Sequence, residues 1–251
     1  MLDQEVRMYF RERYNKILDI LEKRSSASVH YLAQALYVSE PTIRRDLAVL
    51  QEQGKIRRTF GGAVLSDLIN KEVPLALREQ ENRRAKDTIA RMAAKYIRDG
   101  QIIFLDASST ASYLTPYLAS FSDLTVITNS PKTSLKLAEL KIRSLSTGGL
   151  LLGNSIAFVG AHAENFVRNF NADIFFFSCR GVTEDGQLTD SSMEESQLRR
   201  VMMEHSKKQI YLCTSDKIGT QYMYNLCDVS GIDGILCEKE LPQKLRREVR
   251  V

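Results

Sequence analysis

Residues 37–58 read YVSEPTIRRDLAVLQEQGKIRR, and the rest of the chain is organised around this stretch. Ser39 is a good N-cap for a helix, because its side-chain oxygen can accept a hydrogen bond from a free backbone N–H of the first turn. Pro41 follows inside that turn, where the N–H that it lacks would have no intrahelical partner. Gly54 is a suitable C-terminal stop. The stretch therefore predicts a short helix that begins after Ser39.

The two sides of this predicted helix differ in chemistry. Its apolar residues recur at helical spacing and form one narrow stripe, made of Ile43, Leu47 and Leu50. At about 100° per residue, Arg45 projects opposite that stripe, with Thr42 and Arg44 towards its two flanks. A helix with one packed side and one polar, cationic side can enter the major groove of duplex DNA.

Further patterns flank this helix on both sides. Apolar residues at helical spacing predict one helix over residues 12–24 and a second over residues 29–36. A tight turn joins the second of these to the Ser39 helix, which makes a helix-turn-helix. Residues 55–59 form a short basic strand, and two glycines turn it back into residues 63–65. This hairpin is a candidate wing, from which three basic side chains could reach DNA phosphates: Lys55, Arg57 and Arg58.

A three-helix unit with exposed arginines can also be a simple packing module with a solvated surface. DNA binding is the preferred interpretation because the capped helix, the helix before it and the basic hairpin converge on it. The charge distribution agrees, since residues 1–65 carry 11 Lys+Arg and 8 Asp+Glu and so hold most of the net charge of +4.

Composition limits the class of protein. The chain has 251 residues, of which 43% are hydrophobic and 26% charged, as in a globular protein of one large or two ordinary domains. The four cysteines have no C-x-x-C spacing and no nearby histidine, so we expect no metal site and no cofactor. The chain opens on charged residues and has no apolar run long enough for a bilayer. We therefore expect a cytoplasmic protein without a membrane partner.

The pattern changes after the hairpin. Residues 66–84 are polar, contain Pro74 and lack a sustained period, which predicts a linker with a short helix after the proline. From residue 85, apolar strands alternate with helical segments, which favours an α/β domain with a mostly parallel sheet flanked by helices. We therefore expect three segments: a DNA-binding domain at 10–65, a linker at 66–84 and an effector-binding domain at 85–238. The predicted strands are 102–105, 124–127, 143–146, 156–159, 174–177, 210–213 and 232–237.

Three loops at the ends of predicted strands carry hydroxyl groups or glycines. In chain order, the candidate residues are Asp106, Ser108, Ser109, Thr110, Thr128, Asn129, Gly148 and Gly149. Ligands of parallel sheets bind at the carboxyl ends of the strands, and helix N-termini attract anions. Lys217, after a later strand, could add a positive charge. The loops therefore suggest a pocket for a small phosphorylated polyol or sugar, although such residues also cap helices and make turns.

Glu195 and Arg199 are four residues apart on a predicted helix over 193–205. This spacing fits an ion pair on a helix surface. It fits equally a pocket-lining Glu195 that binds ligand hydroxyls, and the residues leave both interpretations open.

Residues 38–63, VSEPTIRRDLAVLQEQGKIRRTFGGA, closely resemble the N-terminal signature of the DeoR family of bacterial transcription regulators. One departure is Phe60, where a histidine is common. The resemblance implies a winged helix-turn-helix, in which Ser39 opens the recognition helix, usually in a repressor that binds its operator as an oligomer.

Residues 85–238 resemble the effector domain of the same family, which is similar in fold to ribose-5-phosphate isomerase. The matching pieces include Lys86, FLDASST, VITNS, Gly148-Gly149, Gly181, Glu195 and SDKIG. The resemblance implies that Gly181 and Glu195 also belong to the effector site. The family usually has glycine where this chain has Ser108, and a glycine there would allow positive φ and a close approach of the backbone to phosphate.

The leading hypothesis is a repressor of a carbohydrate-metabolism operon that binds double-stranded operator DNA, acts as a homo-oligomer and responds to a phosphorylated sugar. It assigns no catalytic residue. One rival is a sugar-phosphate isomerase fused to a DNA-binding domain, with Asp106 or Glu195 as the general base. Another is an architectural or activating DNA binder without a small ligand.

Overall fold

The computed structural model describes residues 12–22, 26–53, 55–59, 61–65, 73–247 and 249. The chain forms two compact units, residues 1–72 and 73–251. No helix in the described ranges is long and apolar enough to cross a lipid bilayer.

The first unit contains three helices and a small sheet. In chain order its elements are α1 (12–22), β1 (Ser26–Ser28), α2 (Val29–Leu36), α3 (Glu40–Glu52), β2 (Ile56–Thr59) and β3 (Gly62–Leu65). The predicted helix-turn-helix and hairpin are confirmed. Strand β1, which pairs antiparallel with β3, was not predicted. The predicted helix stop at Gly54 lies outside the described residues.

Helix α3 has the two sides that the sequence predicts. Its N-terminus is capped by Ser39, whose hydroxyl accepts from the N–H of Thr42 at 3.4 Å. The apolar stripe is fully buried against α1 and α2, with Ile43, Leu47 and Leu50 at most 1% exposed. Asp46 lies on the same buried side, where it forms a two-pronged ion pair with Arg13 at 2.5 and 2.7 Å. This pair fastens α1 to α3.

The second unit is built on a six-stranded sheet in the order β14-β12-β9-β4-β5-β6, with every neighbouring pair parallel. The strands are β4 (Ile102–Leu105), β5 (Thr125–Thr128), β6 (Arg143–Ser146), β9 (Ile174–Phe177), β12 (Gln209–Cys213) and β14 (Gly234–Cys237). The predicted parallel sheet is therefore confirmed.

Smaller strands lie beside this sheet and were only partly predicted. They form the hairpin β7 (Leu150–Leu152) with β8 (Ala157–Val159), and the antiparallel sheet β10 (Gly181–Val182), β11 (Gln187–Asp190) and β13 (Tyr224–Asp228). Only β8 was predicted, because the others are short and lack apolar alternation.

Helices cover both faces of the parallel sheet. They are α4 (Leu75–Gln80), α5 (Arg83–Ala94), α6 (Thr115–Leu118), α7 (Pro131–Glu139), α8 (Ala161–Val167) and α9 (Met193–Glu204). Alternate side chains of each strand enter two separate cores. One core stacks Phe175 on Phe177 at 5.0 Å, and the other contains Phe176 and Leu212. The sheet is thus buried on both faces, as its continuous apolar strands require.

The segment expected to be a linker is largely part of the second unit. The predicted helix after Pro74 is present as α4, and its Leu75 and Arg78 are buried. The N–H of Leu75 donates to the carbonyl of Asn154 at 2.8 Å. The second unit therefore begins before the predicted start at residue 85, because α4 packs on it. It also continues past residue 238, since Leu245 is fully buried in its core. Residues 66–72 lie outside the described ranges.

Candidate functional site

The residues proposed to read DNA lie on the exposed side of α3. Arg44 and Arg45 are exposed and Thr42 is half-buried. The Ser39 hydroxyl lies 2.9 Å from that of Thr42, in addition to capping the helix. Ser39 thus fixes the helix start and orients a neighbouring polar group.

The two arginines differ in their contacts. Arg44 donates to Glu40 at 3.3 Å, and Glu40 also lies 3.1 Å from the Nδ1 atom of His30. Arg45 has no hydrogen bond or ion pair with any residue that the structure describes. Arg45 is therefore the more available guanidinium for an external acceptor. Sequence reasoning missed Glu40, although its spacing of four residues from Arg44 was a signal.

The hairpin adds exposed cations beside α3. The side chains of Lys55 and Arg58 are exposed, whereas the side chain of Arg57 is outside the described part of the chain. The backbone N–H of Arg58 donates to the side chain of Gln51 at 3.3 Å. This contact ties the hairpin to the C-terminal part of α3.

In the second unit, sheet register brings the three predicted loops together. Leu105 pairs with Thr128, and Thr128 pairs with Ser146, so β4, β5 and β6 end side by side. The N–H of Thr147 donates to the carbonyl of Thr128 at 3.1 Å. The candidate residues of these loops therefore share one carboxyl edge, which we call the effector edge: 106–110, 128–130 and 147–149.

Both carboxylate oxygens of Asp106 are already engaged by the protein. Oδ1 accepts from the hydroxyl of Ser108 at 2.6 Å and from its N–H at 3.2 Å. Oδ2 accepts from the Nε of Arg199 at 2.7 Å and from the N–H of Ser178 at 3.3 Å. Asp106 is 1% exposed, so its role here is to hold the loop rather than to present a free carboxylate.

Arg199 is the centre of a buried charge cluster. It also donates to Asp190 at 2.9 Å and to Glu195 at 3.4 Å. Burial opposes its charge, but the carboxylates of Asp190, Asp106 and Glu195 outweigh burial and raise the pKa of Arg199. The Glu195–Arg199 ion pair that the spacing suggested is present, but it is buried rather than on the helix surface, because both residues are at most 5% exposed. Sequence reasoning missed Asp190, because strand β11, at whose end it lies, was not predicted.

Lys217 lies at the same edge as predicted. Its ammonium donates to the hydroxyl of Ser178 at 2.6 Å and to that of Thr110 at 3.4 Å. The structure gives Lys217 no ion pair with a described carboxylate. Sequence reasoning missed Ser178, although it directly follows β9 at the carboxyl edge.

The first two loops are ordered by their own hydroxyl groups. Ser108 accepts from the N–H of Ala111 at 3.1 Å and is not among the residues with positive φ, so this serine fits the loop without strain. The α-helix predicted to follow begins as a 3-10 turn, and the first loop therefore does not precede an α-helix N-terminus. Ser109 is also buried, and its carbonyl accepts from the hydroxyl of Ser112 at 3.0 Å. Thr128 accepts from the N–H of Ser130 at 3.1 Å.

Asn129 retains unused hydrogen-bonding capacity. Its Nδ2 donates to the carbonyl of Phe158 at 3.0 Å, while its buried Oδ1 has no partner among the described residues. Buried polar atoms are normally hydrogen-bonded. Asn129 Oδ1 is therefore a buried acceptor whose hydrogen-bonding capacity is not used by any residue that the structure describes.

The predicted glycines are required by the backbone. Gly148 and Gly149 have φ of 60° and 113°, and a side chain on Gly149 would stand 2.6 Å from the carbonyl of Val159. A side chain on Gly181 would stand 2.4 Å from the carbonyl of Thr220. Gly181 therefore has a packing role in this structure, whatever else it contributes.

Sequence reasoning did not place Lys86 in the site. It lies on α5 in line with the buried Ile89, Ala90 and Ala93, and it is itself 4% exposed. Its ammonium donates to the carbonyl of Arg78. A lysine within an apolar helix face was the signal that could have found it.

Two family models match this chain, one in each unit. Residues 13–68 match the family described as the DeoR-like helix-turn-helix domain, and residues 81–239 match the DeoR C terminal sensor domain. The ribose 5-phosphate isomerase A structure from Methanocaldococcus jannaschii is 16% identical, with a TM-score of 0.42 over 55% of each chain.

Full-length relatives carry both units. The uncharacterized HTH-type transcriptional regulator YulB of Bacillus subtilis is 35% identical, over 93% of this chain and 91% of its own length. The L-fucose operon activator of Haemophilus influenzae is 32% identical, over 92% and 93%. The glycerol-3-phosphate regulon repressor of Escherichia coli is 28% identical, over 92% of each chain. The chain, with its helix-turn-helix unit and its sensor unit, belongs to the DeoR family of transcriptional regulators.

Proposed function

We propose that this regulator represses a carbohydrate-metabolism operon, and that a phosphorylated sugar bound at the effector edge changes its affinity for operator DNA. The observation that carries the proposal is the Lys217 ammonium. This ammonium donates to the hydroxyls of Thr110 and Ser178 at the effector edge, where three loops carry polar groups. No described carboxylate forms an ion pair with it. An ammonium ion beside hydroxyls and backbone N–H groups suits a phosphate group.

The remaining candidate residues complete the proposed ligand site. The loop residues 106–110 and 147–149 would surround the phosphate and the sugar, and Asn129 Oδ1 would accept from a sugar hydroxyl. We assign Asp106 and Glu195 a structural role beside the ligand site, because the carboxylates of both already accept hydrogen bonds from Arg199. For Glu195 this assignment replaces the interpretation that it binds ligand hydroxyls.

The proposed DNA contacts divide by chemistry. Arg45 would contact a base edge in the major groove, with Thr42 and Arg44 beside it. The basic residues of the hairpin would contact phosphate, namely Lys55, Arg57 and Arg58. We also propose that the protein acts as a homo-oligomer, since a two-fold operator needs paired reading heads, and that it works in the cytoplasm where chromosomal DNA lies.

The names of the relatives support regulation of a carbohydrate operon. They include both a repressor and an activator, so an experiment must distinguish repression from activation. One relative is a repressor of a glycerol-3-phosphate regulon, and another is an activator of an L-fucose operon. A reporter assay with a promoter that carries the bound operator separates the two: deletion of the regulator gene should raise expression. Lower expression on deletion would instead identify an activator.

An enzymatic role has little support from the geometry. A general base needs a carboxylate that can reach a substrate proton. Asp106 and Glu195 are at most 3% exposed and both bind Arg199. Sustained turnover of a bound sugar phosphate that is lost in Asp106→Asn would overturn this reasoning.

The ligand proposal is tested by thermal shift. The full chain is screened against glycerol 3-phosphate, ribose 5-phosphate and hexose phosphates, each beside its unphosphorylated counterpart, since a ligand that binds only the folded state raises the melting temperature. At least one phosphorylated compound should raise it, and Lys217→Gln should abolish the rise. Lys95→Gln is the control, because Lys95 is an exposed lysine of the same unit. Equal shifts in the two variants would move the site elsewhere.

A further inference from the structure

The first segment of the second unit is hydrogen-bonded to several other parts of that unit. We call residues 73–86 the strap. Its backbone binds loops that follow three different strands: Leu75 N–H donates to Asn154 at 2.8 Å, Tyr113 donates to the carbonyl of Glu79 at 2.9 Å, and Arg180 donates to the carbonyl of Val73 at 3.3 Å. Tyr113 lies in the turn that directly follows residues 106–110, so this contact links the first loop of the effector edge to the strap.

Lys86 ends the strap and lies under it. The carbonyl of Arg78, also in the strap, is the acceptor that the structure gives its ammonium, and the ring of Tyr113 lies 6.0 Å away. No described carboxylate is within ion-pair distance of it. An ammonium that is 4% exposed normally needs a counter-ion, because burial without one costs several kcal/mol. Lys86 has two further N–H donors available.

Charges around Lys86 come from several elements. Burial and, after it, repulsion by Lys217 lower the pKa of Lys86 to about 7, while Glu81 and Asp216 act in the opposite direction. The Glu81 residue is exposed overall, but desolvation by nearby protein atoms raises the pKa of its carboxyl group. Glu81 is therefore a weak permanent counter-ion for Lys86. The site thus combines two lysines and lacks a close anion.

We propose that Lys86 is a second ligand-binding cation of the effector site, and that it bridges the strap to an anionic group of the ligand such as phosphate. This inference rests on the proposed function. One donor of the ammonium stays on the Arg78 carbonyl, and the other two take ligand oxygens. The ligand anion favours the charged amine, so the bond to the strap becomes charge-assisted and stronger. The strap, which follows the first unit directly in sequence, is held more tightly when the ligand is bound.

The experiment compares Lys86→Met and Lys86→Gln with Lys95→Met in the full chain. The probes are inorganic phosphate, glycerol 3-phosphate and ribose 5-phosphate, with affinities measured by calorimetry. The Lys86 variants should bind the best probe roughly 10- to 150-fold more weakly, as expected for loss of hydrogen bonds to a charged group. Lys95→Met should bind as the parent does. The melting temperatures of the ligand-free variants show that they remain folded.

Hydrogen exchange of the strap is a second measurement. It would not respond to the ligand through Lys86 if this lysine had only a structural role. Hydrogen exchange of amides 75–86 should slow when the probe binds the parent and should not change in Lys86→Met. Parent-like affinity in the Lys86 variants, or exchange that is unchanged or faster in the liganded parent, overturns the inference and leaves the proposed function standing. Failure of every probe to bind the parent overturns the proposed function itself.

Discussion

Replacing Arg199 by methionine tests the buried charge cluster that holds the effector edge. Arg199 is 5% exposed and is bound by three carboxylates, those of Asp106, Asp190 and Glu195, each at most 3% exposed. Methionine fills part of the space of the arginine stem but carries no donor. The variant therefore leaves three buried acids without their shared cation.

The size of the effect follows from burial. Removing one partner of a buried ion pair costs about 3–5 kcal/mol, because the remaining charge is left uncompensated. The matched control is Arg168→Met. Arg168 also binds a glutamate four residues away, Glu164 at 3.5 Å, but its side chain is 46% exposed. Such surface pairs contribute about 0.3–0.5 kcal/mol. The two variants share the same residue change and the same helix spacing, so burial is the main difference.

The assay is urea unfolding followed by far-ultraviolet circular dichroism. Arg199→Met should shift the unfolding transition of the second unit to lower urea by several times the shift of Arg168→Met. Equal shifts in the two variants would refute the claim that the cluster organises this unit.

Three further predictions follow from single contacts. Arg45→Ala should cost about 1–3 kcal/mol at a cognate site if the guanidinium pairs with guanine, whereas Arg58→Ala should weaken all sequences alike and lower the salt slope, both measured by fluorescence anisotropy. Gly181→Ala should destabilise the second unit by about 1–3 kcal/mol in urea unfolding, because its new carbon would meet the Thr220 carbonyl. Effector affinity should fall as pH rises above about 7, because Lys86 then loses its proton in the free protein and binding must restore that proton. Calorimetry in buffers of different ionisation enthalpy should show proton uptake on binding to the parent and none on binding to Lys86→Met.

Local signals made the DNA-reading helix predictable from sequence. The Ser39 cap, the Pro41 first turn and the Ile43–Leu47–Leu50 stripe all act within one helix, and the structure contains that helix. The Arg13–Asp46 pair joins residues 33 positions apart, so no local pattern could show it. Strand β1 was missed for the same reason, since it is defined by its pairing with β3.

The effector edge was predictable in outline because parallel strands end together. The loops after β4, β5 and β6 lie side by side at the carboxyl edge, as a parallel sheet implies, and Lys217 lies at the same edge. The roles of Asp106 and Glu195 were not predictable, because Arg199 reaches Asp106 from 93 positions away in sequence. The strap overlaps the segment that the sequence predicts as a linker, because residues 73–84 are mostly polar and only two of their side chains, Leu75 and Arg78, anchor them by burial.

The most direct test of the account is the coupling between effector and operator. The affinity of the full chain for the phosphorylated sugar identified by thermal shift is measured by calorimetry, with and without saturating operator duplex. Operator affinity is measured with and without the sugar. Each ligand should change the affinity of the other by the same factor, typically about 5–150-fold for allosteric couplings. An effector affinity that the operator leaves unchanged would contradict it.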